Sequence, residues 1–145
     1  MSLNAGRLLL KRVHELADRH EDFAFETTLS GRSYSSFLRK LRGRGFLIHL
    51  FFLWVPSAEL SLARIKERVS GGGHDIPAAD VRRRFPRSIR NFFRVYQPLL
   101  DSWTLLDNST ETPRLIAREE SGKRVVEDDE LYARISKMAG IAHET

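Results

Sequence analysis

The chain has 145 residues, 41% apolar and 30% charged, which fits one soluble folded domain and excludes a disordered polymer. It has no cysteine, which removes disulfide frameworks, thiolate zinc sites and cysteine nucleophiles together. A net charge of +5, from 24 basic and 19 acidic side chains, admits an anionic partner without choosing among nucleotide, nucleic acid and membrane surface.

Leu9, Val13, Leu16 and Ala17 recur at helical spacing and predict an amphipathic helix over about Ala5 to Arg19. Phe23-Ala24-Phe25 is short, aromatic and strand-like, and leads into the polar cluster Glu26-Thr27-Thr28-Leu29-Ser30-Gly31-Arg32. Ser33 is placed to cap a second helix, with Tyr34, Phe37, Leu38 and Leu41 as its buried stripe and Gly45 as its stop. Phe46 to Trp54 is apolar almost without alternation and predicts a strand covered on both faces, with His49 as a satisfied core histidine. Strand, helix and strand then read as a βαβ unit. Ser57 is placed to cap a third helix burying Leu62, Ile65 and Val69, which ends at Gly71-Gly72-Gly73.

Asp75 is the expected cap of a further helix beginning at Pro77 and running towards Tyr96. Trp103 to Leu106 reads as a short strand ending in Asp107-Asn108-Ser109. Residues 114–118 and 124–126 pair as a hairpin around Ser121-Gly122, and Asp128 to Met138 forms a last helix. Alternating strands and helices predict a single α/β domain over residues 1–145 with a mainly parallel sheet. Because such sheets usually open with a strand, a helix at the start leads us to expect that something is missing in front. The apolar run is too short to span a bilayer, and no secretion signal opens the chain, so a cytoplasmic protein with no membrane contact is expected.

On a helix advancing roughly 100° per residue, Arg83, Arg87, Arg90 and Arg94 fall in one stripe, opposite Val81, Phe85, Ile89, Phe92 and Tyr96. Pro86 is expected to kink or split the helix. Asp80 can reach Arg83 or Arg84, but nothing acidic lies between Arg82 and Pro98. A solvated basic face is the plain alternative. Arginine's planar fork suits phosphate oxygens, and the glycine triplet gives the approach freedom to close, so a phosphate-covering lid is the functional reading. Arg64 and Arg68, one turn apart on the preceding helix, add a second cationic cluster, with ordinary surface pairing to Glu59 or Glu67 as the alternative.

In FETTLSGR, Glu26 can accept hydrogen bonds from substrate hydroxyls, Thr27, Thr28 and Ser30 offer hydroxyls, and Arg32 can hold a substrate phosphate. Turn and capping roles account for the same residues. His74-Asp75 resembles an acid–base pair only superficially, and the five histidines show no zinc-site spacing.

FAFETTLSGR, FLWVPSAELSLARIKERV, GGHDIPAADVRRRFPRSIRN and LLDNS, in that order, resemble the zeta-toxin-like P-loop kinases. The resemblance implies a three-layer αβα fold with a lid over about residues 58–96. The chemistry implied is transfer of the γ-phosphoryl group of ATP, with Mg²⁺, to the hydroxyl of a sugar or nucleotide sugar, UDP-N-acetylglucosamine in the best-known members. It likens Arg64, Arg83, Arg84 and Arg87 to phosphate-facing lid residues and Glu26, Thr27 and Thr28 to the substrate-side segment. Arg68 and Asn108 are similar to nucleotide-side residues. No metal ligand is assigned.

No G-x-x-x-x-G-K-[ST] occurs, and Gly122-Lys123-Arg124 lacks both the upstream glycine and the following hydroxyl. The acidic catalytic base of the family also has no counterpart. The chain therefore reads as the carboxyl-terminal portion of such a kinase, truncated at its amino end, inactive alone and with no ATP or Mg²⁺ expected on it. An exposed sheet edge, self-association through it and an antitoxin as protein partner follow as expectations. The alternative is a basic nucleic-acid-binding or protein-interaction module, although no helix-turn-helix or aromatic stacking motif supports it.

Overall fold

A computed structural model describes residues 3–73 and 75–141; His74, half of the His74-Asp75 pair, and His143 lie outside them. Helices α1 (Leu3–Asp18) and α2 (Ser33–Gly43) precede β1 (His49–Trp54), α3 (Ala58–Ser70) and α4 (Ala78–Asn91). A π-helical turn (Phe92–Tyr96) and a 3₁₀ turn (Gln97–Leu99) lead into β2 (Ser102–Asp107), β3 (Arg114–Glu120), β4 (Lys123–Val126) and α5 (Asp129–Met138).

Local signals account for most of these elements. Ser57 caps α3, its Oγ accepting from the Leu60 amide at 3.1 Å. Asp128 caps α5 in the same way through the Leu131 amide. Ser121 and Gly122, at φ 52 and 76, form the two-residue turn between β3 and β4, with Glu120 opposite Lys123. Two expected caps differ. Ser33 is the first residue of α2, behind Arg32, and no side chain caps that helix. At α4 the cap position is Pro77, which has no side-chain acceptor, so Asp75 does not cap it. The helix runs unbroken through Pro86, which is exposed, so the carbonyl it leaves without a donor lies on the wet side.

The four strands lie in sequence order, with β1 and β2 parallel and the other two pairings antiparallel. The fold is mixed α/β, and its sheet is not mainly parallel. Only the connection through α3 and α4 is long enough for a crossover, whereas the later connections are short and enforce antiparallel pairing. The parallel pair joined by α3 and α4 replaces the βαβ unit expected from Phe23. Residues 21–30 form no strand; Phe23 packs on Phe46 and Phe25 on Tyr34 through ring contacts. Three residues offer too short a ladder to compete with those contacts.

Register places Leu50, Phe52 and Trp54 beside Trp103, Leu105 and Asp107 on one face. There Phe92 meets Phe52 at 5.0 Å and Trp103 at 5.5 Å, and Tyr132 stacks on Trp103. The alternate row does not match the expectation of a strand covered on both sides. Phe51 and Leu53 are 71% and 54% exposed, and no third layer covers them among the described residues. His49, expected in the core, is exposed, its Nδ1 2.6 Å from Ser102 Oγ.

Among the described residues β1 pairs only with β2, and neither charge nor proline blunts its other edge. Concentration-dependent self-association is the expected result in sedimentation, and Phe51→Lys with Leu53→Glu should abolish it. A monodisperse wild-type monomer at the same concentrations would contradict this.

Candidate functional site

A parallel pair gathers its loops at the carboxyl ends of its strands, and these are Trp54-Val55 and Asp107-Asn108 here. The Asn108 amide donates to the Trp54 carbonyl at 2.7 Å, which seats Asn108 between the two strand ends. Asp107, buried, receives the Ser109 amide at 3.0 Å and Arg114 at 3.4 Å. An open cleft of about 1940 Å³ extends from this end along β1.

Seven of the ten residues singled out from the sequence line that cleft. Arg64 and Arg68 come from α3, Arg84 from α4, Glu26, Thr27 and Thr28 from the loop before α2, and Asn108 from the end of β2. Arg83, Arg87 and Arg32 do not line it. Arg83 pairs with Asp80 at 3.0 Å. Arg87 and Arg90 are exposed and have no carboxylate partner among the described residues. Arg94 leaves the cationic stripe altogether, donating to the Gly140 carbonyl at 2.8 Å beyond the end of α5, where a cation is favoured. Arg32 is exposed at the start of α2, and its carbonyl accepts from Ser35 Oγ at 2.7 Å.

The helical stripe was legible, but of the three arginines named on this helix the one that lines the cleft, Arg84, lies outside that stripe. Arg83, Arg87 and Arg90 point away from the core, whereas Arg84 lies about 100° round and flanks the apolar stripe of Val81, Phe85 and Ile89. The cleft therefore receives Arg84. No ion pair neutralises Arg64, Arg68 or Arg84 among the described residues, although Glu26 and Glu67 also line the cleft. A bridge between α3 and α4, Arg82 to Glu59 at 3.7 Å, involves residues that do not line the cleft and is exposed. Three guanidiniums without a carboxylate partner among the described residues, lining one cleft, form an anion-seeking surface.

The glycine triplet has a structural duty. Gly73 N–H donates to the Arg68 carbonyl at 2.7 Å, Gly72 takes φ 97, and a Cβ on Gly73 would approach that carbonyl to 3.0 Å. Together they stop α3 at Ser70, half a turn beyond Arg68.

The cleft is also lined by a loop without a ladder of its own. Thr27 Oγ1 accepts from the Leu29 amide at 3.3 Å, and Thr28 and Ser30 hydroxyls lie 2.8 Å apart, so the turn roles are present as well. The carbonyls of the loop go to side chains of the helix across from it. Ser88 Oγ donates to Thr28 O, Asn91 Nδ2 to Leu29 O at 2.7 Å, and Tyr96 Oη to Gly31 O at 2.8 Å. Burial raises the Tyr96 hydroxyl above its ordinary pKa, so it stays protonated and donates. Sequence reading missed Asn91 and Ser88. Their signal was position, since both flank the apolar stripe beside Arg84.

Among the described residues, no group of three or more His, Asp or Glu side chains has metal-holding geometry. No helix of the described residues is long and apolar enough to cross a membrane. A protein of Haemophilus influenzae described as uncharacterized is 36% identical over 83 residues, covering 57% of this chain and 59% of that protein. The chain thus spans less than two thirds of that relative's length. No protein-family model and no solved structure matches the chain.

Proposed function

We propose that this chain is the acceptor and lid side of a zeta-toxin-like, ATP-dependent small-molecule kinase that phosphorylates a sugar or nucleotide-sugar hydroxyl. One observation carries the reading. Arg64, Arg68 and Arg84, unpartnered by carboxylates among the described residues, share a cleft with Glu26, Thr27, Thr28 and Asn108 at the carboxyl ends of parallel strands. Phosphoryl transfer rests on positioning and on charge stabilisation of the phosphoryl oxygens, which such guanidiniums supply. Glu26 and the two threonines are suited to sugar hydroxyls.

A chain without a G-x-x-x-x-G-K-[ST] sequence has no nest of amides and no lysine for the β- and γ-phosphates. ATP and Mg²⁺ belong to the intact kinase in this reading, and the 145 residues alone bind the acceptor without turning over ATP. The test is calorimetric titration with UDP-N-acetylglucosamine beside an ATPase assay. Saturable binding with no ATP hydrolysis is expected. Absence of nucleotide-sugar binding, or ATP hydrolysis that depends on Arg83 or Arg87, would overturn the reading.

The exposed outer face of α4, with Arg87 and Arg90, favours a second reading as a nucleic-acid surface. Saturable duplex-DNA binding, with a log–log salt slope of about 0.9 per neutralised phosphate, would move the function to that face. The cleft reading expects none.

A further inference from the structure

Asn91 is 7% exposed inside a helix, and its amide is aimed at a loop 60 residues earlier in the chain. A buried side-chain amide must find polar groups that satisfy it. Here those groups are the Leu29 carbonyl at 2.7 Å and, more weakly, the Gly31 carbonyl at 3.5 Å. One turn before it, Ser88 Oγ lies within hydrogen-bond distance of Thr28 O and, at 2.9 Å, of Arg84 O of its own helix, so its single hydrogen is shared between the two carbonyls. Beyond it, Tyr96 Oη takes the Gly31 carbonyl.

The π-helical turn over Phe92–Tyr96 makes this alignment possible. On a regular α-helix, five residues from Asn91 to Tyr96 would advance roughly 500°, leaving the two side chains about 140° apart. A wider i to i+5 turn brings Tyr96 back to the side facing the loop, the kind of irregularity found at functional sites. The loop also carries a stored cost. Leu29 takes φ 56, an unfavourable backbone for a leucine, and is buried there. Such a conformation persists only where its surroundings over-determine it, and the donors from 88, 91 and 96 do so.

We infer that Asn91 is a positioning residue: with Ser88 and Tyr96 it clamps carbonyls 28, 29 and 31, so that Thr27 and Thr28 face the cleft at a fixed offset from Arg84. Arg84 and Ser88 are one turn apart on α4, so Arg84 and the threonine-bearing loop are tied through a single helix. The Thr27–Thr28 wall therefore moves with α4, and any closing of the cleft falls to α3 with Arg64 and Arg68. The role in acceptor binding rests on the kinase reading above, whereas the clamp itself does not.

Asn91→Asp keeps the shape but replaces the donor with an acceptor facing two carbonyls. Tyr96→Phe removes one hydroxyl and keeps the ring, and serves if the aspartate variant fails to fold. Amide exchange is read at Leu29 and Ser30 against Leu105 and Ile116 in the sheet. About tenfold faster exchange in the loop, with sheet amides unchanged, is expected for either variant, together with weaker binding of UDP-N-acetylglucosamine. Unchanged loop exchange, or acceleration equal in loop and sheet, overturns the clamp. A loosened loop with unchanged affinity overturns the positioning role and leaves the kinase reading intact. If wild-type protein does not bind the nucleotide sugar, the kinase reading fails and the exchange comparison still decides the clamp.

Discussion

Replacing Phe92 with alanine is expected to destabilise the protein by about 3–5 kcal/mol, a large part of the whole stability of a domain this size. Phe92 has no solvent exposure and sits where three surfaces meet. Its ring lies 5.0 Å from Phe52 of β1, 5.5 Å from Trp103 of β2 at a right angle, and 5.0 Å from Phe93, which reaches Tyr132 of α5. Deleting it opens a cavity lined by rings that are themselves packed on other rings, so the site collapses poorly. Phe92 also begins the π turn that aligns Tyr96 with Asn91, and loosening it reaches the Thr27–Thr28 wall. Urea denaturation of Phe92→Ala beside Phe51→Ala is the measurement. The exposed Phe51 should cost within about 0.5 kcal/mol as a surface substitution. Equal losses in the two variants would contradict this account of the core.

Features encoded within a few residues were legible in the sequence. Ser57 read as a cap because it needs only an amide three residues ahead. Ser121-Gly122 read as a hairpin turn because its positive φ angles suit that pair. The stripe Val81, Phe85, Ile89, Phe92 and Tyr96 does face inward, since periodicity records which side a helix buries. What depended on distant partners was not legible. Phe23-Ala24-Phe25 has strand composition, yet whether it pairs depends on the edge of β1, which it does not join. The run from Phe46 to Trp54 carries apolar residues on both rows, and nothing local shows that Phe51 and Leu53 lack a cover. At the site, Arg64, Arg68, Arg84, Glu26, Thr27, Thr28 and Asn108 were named in advance. Asn91 was not, because an asparagine within a helix looks neutral until the carbonyls of Leu29 and Gly31 are seen in front of it.

Arg84→Ala should weaken UDP-N-acetylglucosamine binding roughly 10–100-fold, the range for losing a charge-assisted hydrogen bond of about 1.5–3 kcal/mol. Arg87→Ala should change it less than about twofold, as befits a distant, solvated charge. The pair is diagnostic because the substitutions are chemically identical, lie three residues apart on one helix and remove the same net charge. Any effect of overall charge on the encounter is therefore common to both. Only Arg84 lines the cleft; Arg87 lies on the outer face. Arg64→Ala, acting from α3, should follow Arg84→Ala, and the two together should lose more than either alone if both face one ligand. Titrations at low and high salt separate contact from steering, because a screened surface charge loses its influence beyond about 10 Å at 0.1 M salt whereas a contact in a cleft persists. Equal losses from Arg84→Ala and Arg87→Ala, both erased by salt, would mean that the anion meets the whole helix rather than the cleft.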